Sequence, residues 1–124
     1  MEIILADREA ELMEVLWDHG PSTVAEVKER VPDDLAYTTV LTILRTLETK
    51  GYVTHDPEGK AHRYSALIER DAARRSALQA MAEKFFKGST AGLLTHLVAD
   101  EKLKPADIRR LRALLAQRGR KAKP

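Results

Sequence analysis

Apolar residues recur at spacings of three and four along most of this 124-residue chain, in windows separated by short clusters of Gly, Pro, Asp and Thr. That period predicts helices with one face for burial. The first starts at Asp7, an N-cap candidate, and runs to about Asp18. Glu9 and Glu11 lie in or near its first turn, and Leu12, Met13, Leu16 and Trp17 are available for burial. Gly20 and Pro21 stop it. Thr23 with Glu26 three residues later forms a capping box, and Val24, Val27 and Val31 line one face of a second helix until Pro32. A short turn from Pro32 to Leu35 leads into LAYTTVLTILRTLETKG, whose apolar face is Val40, Leu44 and Leu47. Lys50 and Gly51 end this third helix with a cation at the negative end of its dipole and a residue that tolerates a left-handed cap.

The pattern then turns β-like. YVTH, DPEGK and AHRYS read as two short strands around a turn, with Lys60 in the turn and Arg63 on the returning strand. Closure around Pro57 to Lys60 would make His55 and His62 cross-strand partners. Helical spacing resumes over residues 68–86, with Leu78, Met81 and Phe85 in one stripe. Gly88, Ser89 and Thr90 break it, GLLTHLV forms a short helix ending near Asp100, and Pro105 opens a last helix whose buried edge is Ile108, Leu111, Leu114 and Leu115. The expected fold class is mainly α with a small β-hairpin. An N-terminal winged helix-turn-helix occupies residues 1–67, a C-terminal helical dimerisation region 68–118, and a basic flexible tail 119–124.

The third helix carries the candidate chemistry. Thr38, Thr39, Thr42, Arg45 and Thr49 fall off its apolar face. Threonine weakens a helix through lost rotamer freedom, so a different advantage accounts for so many. Short side chains bearing a hydroxyl and a methyl suit the floor of a DNA major groove, and Arg45 reaches a phosphate or a guanine. In a winged helix the hairpin lies beside this reading helix, where its basic residues grip the adjacent backbone. A surface helix whose threonines face water, followed by an ordinary solvated hairpin, is the alternative.

Charge cuts against a simple nucleic-acid reading. Residues 1–64 carry 7 basic and 13 acidic groups, net −6, whereas residues 65–124 carry 14 basic and 6 acidic, net +8. An acidic reading domain predicts weak non-specific binding. It also keeps open a rival reading, a winged-helix protein-interaction adaptor without sequence-specific DNA binding. Local sorting answers the objection if Arg45, Lys50, Lys60 and Arg63 gather where the groove lies. The chain has no cysteine, hence neither disulfides nor a thiolate metal site, and no apolar run of membrane-spanning length. Cytoplasmic residence, no cofactor and no metal are expected. Without a cysteine nucleophile, a phosphate loop or a nucleophile elbow, no catalytic residue is assigned and no enzyme is expected.

The runs LMEVLWDHGPSTVAEVKERV, LAYTTVLTILRTLETKGYV and EGKAHRYSA together resemble the penicillinase and methicillin-resistance repressor family (BlaI/MecI type) over about residues 5–68. The resemblance implies a dimeric repressor bound to a palindromic operator in double-stranded DNA. It places Thr38, Thr39, Thr42 and Arg45 against the DNA, with Lys60 and Arg63 in the wing. Tyr37, Ser22 and Thr23 are secondary candidates. Homodimerisation would bury Leu78, Phe85, Phe86, Leu93, Leu94, Leu97, Val98, Leu111 and Leu115 in an isologous interface; packing of these helices back onto the winged helix is the alternative. The resemblance also implies a regulatory protease cutting near His96 and Leu97, where this chain lacks the family's Asn-Phe pair. A related branch senses copper through C-terminal cysteines, which are absent here.

Overall fold

The computed structural model describes residues 2–100 and 102–122. In chain order the elements are α1 (Asp7–His19), β1 (Ser22–Thr23), α2 (Val24–Arg30), α3 (Tyr37–Thr49), β2 (Val53–Glu58), β3 (Ala61–Ala66), α4 (Arg70–Phe85), α5 (Thr90–Asp100) and α6 (Pro105–Ala122). The chain divides into two compact units, Met1–Ala80 and Met81–Pro124.

In the first unit the three helices close over one core. Leu12, Met13, Val27, Val40, Leu44 and Leu47 are fully buried, the faces that the 3.6-residue period selects. The strands form a three-stranded antiparallel sheet in the order β1-β3-β2. The hairpin register pairs His55 with Tyr64 and Pro57 with His62, so the turn is the tight Gly59–Lys60 pair. That corrects the expected pairing of His55 with His62, which are diagonal neighbours. Gly59 takes φ +60, as a two-residue hairpin turn demands.

Two further local expectations change. Ala6, not Asp7, is the N-cap of α1, and its N–H donates to Glu9 Oε1 at 2.7 Å. The carboxylate reaching back from the third helical position satisfies the N–H of the cap residue itself, the half of a capping box that needs no hydroxyl. Ser76, in the middle of α4, accepts from Ile3 N–H at 2.7 Å and donates to Ile3 C=O at 3.2 Å. Trp17 Nε1–H donates to Ile68 C=O at 2.9 Å, and the Arg70 guanidinium lies over the Trp17 ring. These bonds tie the first part of α4 to the winged helix, and the seam between units falls inside α4 rather than at residue 67.

Glu9 is buried, yet it carries charge, because Lys50 Nζ bonds Oε1 at 2.7 Å. Burial alone pushes its carboxyl up, but the Lys50 ammonium and the Ala6 N–H outweigh that and hold it below the ordinary 4.5. The folded value being depressed, the pair stabilises the protein above the unfolded pKa and the contribution is lost as pH falls through the folded one. Glu9→Gln is expected to lower stability by about 1 to 2 kcal/mol at neutral pH. The gap should narrow as pH falls from the ordinary 4.5 through the depressed folded value. Urea denaturation at a series of pH values descending from 7 tests this; a loss that stays constant down to acid unfolding would exclude a charge effect.

The second unit holds the end of α4 with α5 and α6. Pro105 occupies the first position of α6, where its missing N–H costs nothing. That helix continues through Gly119 to Ala122, so the first part of the segment expected as a tail is helical; Lys123 and Pro124 lie outside the described residues. Leu93 and Ala82 are buried within the single chain.

Candidate nucleic-acid interface

The candidate surface is built by α3 and the wing. With Val40, Leu44 and Leu47 committed to the core, helical geometry leaves Thr38, Thr39, Thr42 and Arg45 exposed along the other side. Tyr37, the first residue of α3, is 47% exposed. Between α3 and the β2–β3 turn lies a cleft of about 190 Å³ lined by Val24, Tyr37, Leu41, Arg45, Lys60, Ala61 and His62. Arg45 from the helix and Lys60 from the turn thus face one hollow.

The amino end of α3 differs from those of the two helices before it. Both α1 and α2 place a glutamate at the third position that bonds the cap N–H. At α3 the cap is Ala36, with no side-chain cap bond, and the first turn holds no acid. Among the described residues its first-turn N–H groups have no side-chain cap, and the positive dipole end meets no acid of its own turn.

Hydroxyl geometry distinguishes the threonines. Thr42 Oγ1 donates to Thr38 C=O at 2.8 Å, and Thr46 and Thr49 donate likewise to Thr42 and Arg45 carbonyls, each at 3.0 Å. Thr42 therefore offers a groove only its oxygen lone pairs and its methyl, which fits a base amino group or a thymine methyl. Thr38 and Thr39 make no such bond among the described residues, so their hydroxyl protons are not engaged by the helix backbone.

The structure does not bring every expected residue to this surface. Ser22 is fully buried and donates to Gly20 C=O at 2.9 Å, which takes it away from any phosphate. Thr23 serves as the cap of α2, accepting from Glu26 N–H at 3.2 Å. Arg63 is occupied: Nε bonds Glu58 at 2.6 Å, and Nη1 lies 3.1 Å from Glu26 and donates to Pro21 C=O at 2.9 Å. The Glu58 bond, foremost, keeps its guanidinium firmly protonated. Strand alternation sends Arg63 to the face opposite His62 and Tyr64, where it clamps the wing to β1 and α2. Lys50 is likewise engaged, by Glu9.

These pairings resolve the charge objection. Of the 7 basic residues in 1–64, Arg8, Lys28, Arg30, Lys50 and Arg63 are each paired with a carboxylate. Arg45 and Lys60 have no carboxylate partner among the described residues, and both line the cleft. An acidic domain thereby presents an uncompensated positive surface at one place.

His55 and His62 stack with ring centroids 4.5 Å apart and planes 21° from parallel. Stacked rings do not aim their nitrogens at one point, and among the described residues no group of three or more His, Cys, Asp or Glu converges as a metal site. No helix among them is long and apolar enough to cross a membrane.

Comparison with known proteins matches residues 5–117 to the penicillinase repressor family. The chain is 37% identical over 98 residues to the transcriptional regulator BlaI of Mycobacterium tuberculosis, covering 76% of this chain and 71% of that one. It is 23% identical over 115 residues to the penicillinase repressor of Bacillus licheniformis, covering 91% and 90%. Among solved structures it resembles the DNA-binding domain of the repressor BlaI, at a TM-score of 0.50 and 30% identity over 56% of this chain and 90% of that one. A MarR family protein from Bacillus stearothermophilus shares the fold, at a TM-score of 0.51 and 17% identity over 96% and 76%.

Proposed function

Because this chain belongs to the penicillinase repressor family of winged-helix transcriptional repressors, we propose that it binds a palindromic operator as a homodimer, with α3 in the major groove and the wing on the flanking backbone. The observation that carries this docking is the pairing pattern: the two cations of residues 1–64 that have no carboxylate partner among the described residues, Arg45 and Lys60, share the cleft beside the acid-free end of α3, which has no side-chain cap. A protein-interaction adaptor has no use for that sorting. Thr38 and Thr39 with the first-turn N–H groups hold a phosphate, Thr42 and Arg45 meet base edges, and Lys60 grips the backbone. Tyr37 lines the same cleft. Ser22, Thr23 and Arg63 support the surface from behind.

The helices of the second unit supply the dimer contact. Met81, Phe85, Leu94, Leu97, Val98, Ile108, Leu114 and Leu115 are all exposed in the single chain, more apolar surface than a small monomer usually shows. Phe86 and Leu111 are half-buried, and Leu78 of α4 is exposed. Leu93 is already covered within the chain, and its role there is to support the face. A regulatory protease acting near His96 and Leu97 would meet them inside α5, so the cut requires that helix to unwind first.

The deciding experiment is an anisotropy titration with duplexes from upstream of the protein's own gene, against scrambled duplexes, across a range of salt. Sequence-selective binding that weakens steeply with salt is expected. Thr42→Ala should reduce the preference for operator over scrambled DNA. Lys60→Ala should weaken both alike and lower the salt slope by about one per wing. Selectivity unchanged in Thr42→Ala, together with a salt slope unchanged in Lys60→Ala, would exclude this docking.

A further inference from the structure

The stacked histidines of the wing are absorbed by none of these roles. His55 Nδ1 lies 2.7 and 2.8 Å from the two carboxylate oxygens of Glu48, which projects from α3. A carboxylate only accepts, so that nitrogen carries a proton and donates it. The His62 ring covers one face of His55 and is itself exposed, on the wall of the cleft that Arg45 and Lys60 share. A short chain therefore runs from the reading helix to the wing: Glu48, His55, His62.

We propose that His62 is a further backbone-contacting residue of the wing, gripping a phosphate in its protonated form, and that Glu48 and His55 are the positioning residues that make this protonation favourable on DNA. The proposal rests on the operator-binding reading above. The groups facing the pair are Glu48, Arg45 and Tyr37 from α3, Lys60 from the turn, and Tyr64, whose ring lies 5.2 Å from that of His55. Asp56, Glu58 and Arg63 belong to the opposite face of the hairpin. Arg45 and Lys60 line the same cleft as His62, and Glu48 balances one positive charge on the stacked pair. A phosphate in the cleft balances a second. DNA binding thus draws a proton onto His62, and by linkage a lower pH tightens binding. Histidine ordinarily changes charge between about pH 5 and 8, which places the effect in the range of a titration.

The test is the pH dependence of operator affinity for the full chain at constant ionic strength, from pH 8 to pH 6. The wild type should bind about tenfold or more tightly at pH 6, since uptake of one proton allows up to tenfold per pH unit. His62→Gln should lose the gain in affinity between pH 8 and pH 6. His62→Lys, a permanent cation in the same place, should bind tightly and flatly at both pH values, which a merely structural stacking role would not produce. Glu48→Gln should keep the fold by circular dichroism and reduce the pH slope. Profiles of His62→Gln and His62→Lys that superimpose on the wild type, with selective binding intact, overturn the proton coupling and leave the operator reading standing. Absence of selective binding by the wild type at every pH overturns both.

Discussion

Arg45→Ala is expected to weaken operator binding by roughly tenfold to a hundredfold per half-site, since one bidentate contact to a base is worth about 1 to 3 kcal/mol. The dimer carries the loss twice. The same substitution should leave the melting temperature within about 1 to 2 °C of the wild type, because the guanidinium is exposed and without a carboxylate partner among the described residues. Arg63→Ala supplies the contrast. Its guanidinium bridges Glu26, Glu58 and the Pro21 carbonyl, so its removal loosens the wing and lowers stability, while the operator preference set by α3 persists. One arginine lies on α3 and the other on the wing of an acidic domain, and the sequence alone sets both against DNA. A result in which Arg63→Ala abolishes selectivity and Arg45→Ala does not would invert the assignment. Fluorescence anisotropy and thermal denaturation on the two variants separate the cases.

That contrast marks where the sequence stops being legible. The buried faces of α1, α2 and α3 repeat with the helical period, so Leu12, Val27, Val40, Leu44 and Leu47 declare themselves within windows of a few residues. The capping box of Thr23 and Glu26 is likewise local, and it forms as expected. Ion pairing is not local. Lys50 meets Glu9 across 41 residues and Arg63 reaches the Pro21 carbonyl across 42, and no spacing rule foretells either. The sorting of cations was therefore expected with four members, and two of those are held elsewhere. Strand β1 escaped for a related reason: its two residues have no alternating pattern, and their hydroxyls are committed to the loop before it and the helix after it. The hairpin itself was visible from its turn residues, while its register depended on which of four turn residues close it. Only Gly59 and Lys60 do, and that choice sets the two histidines diagonally, close enough to stack.

Leu97→Asp should convert the protein to a monomer and lower operator affinity by about a hundredfold or more, because two tethered reading domains gain that much through effective concentration. The position suits the test. Leu97 is 43% exposed in the single chain, so a carboxylate there remains solvated in the monomer and costs its fold little. Leu93, one turn earlier, is 7% exposed, and an aspartate at that site would unfold α5 and answer nothing. In an isologous contact, Leu97 meets its own environment twice, and each copy would bury an unpaired charge against an apolar face. Light scattering reads the mass directly, and a mass unchanged by Leu97→Asp would remove α5 from the interface. Binding to an isolated half-site discriminates further: the variant should match the wild type there and fall behind only on the full palindrome. A variant weak on both would place Leu97 in the integrity of the second unit rather than in its pairing, which circular dichroism would register as lost helix. The expected combination of halved mass, intact helix and selective loss on the palindrome ties the apolar face of the second unit to the work of the cleft in the first.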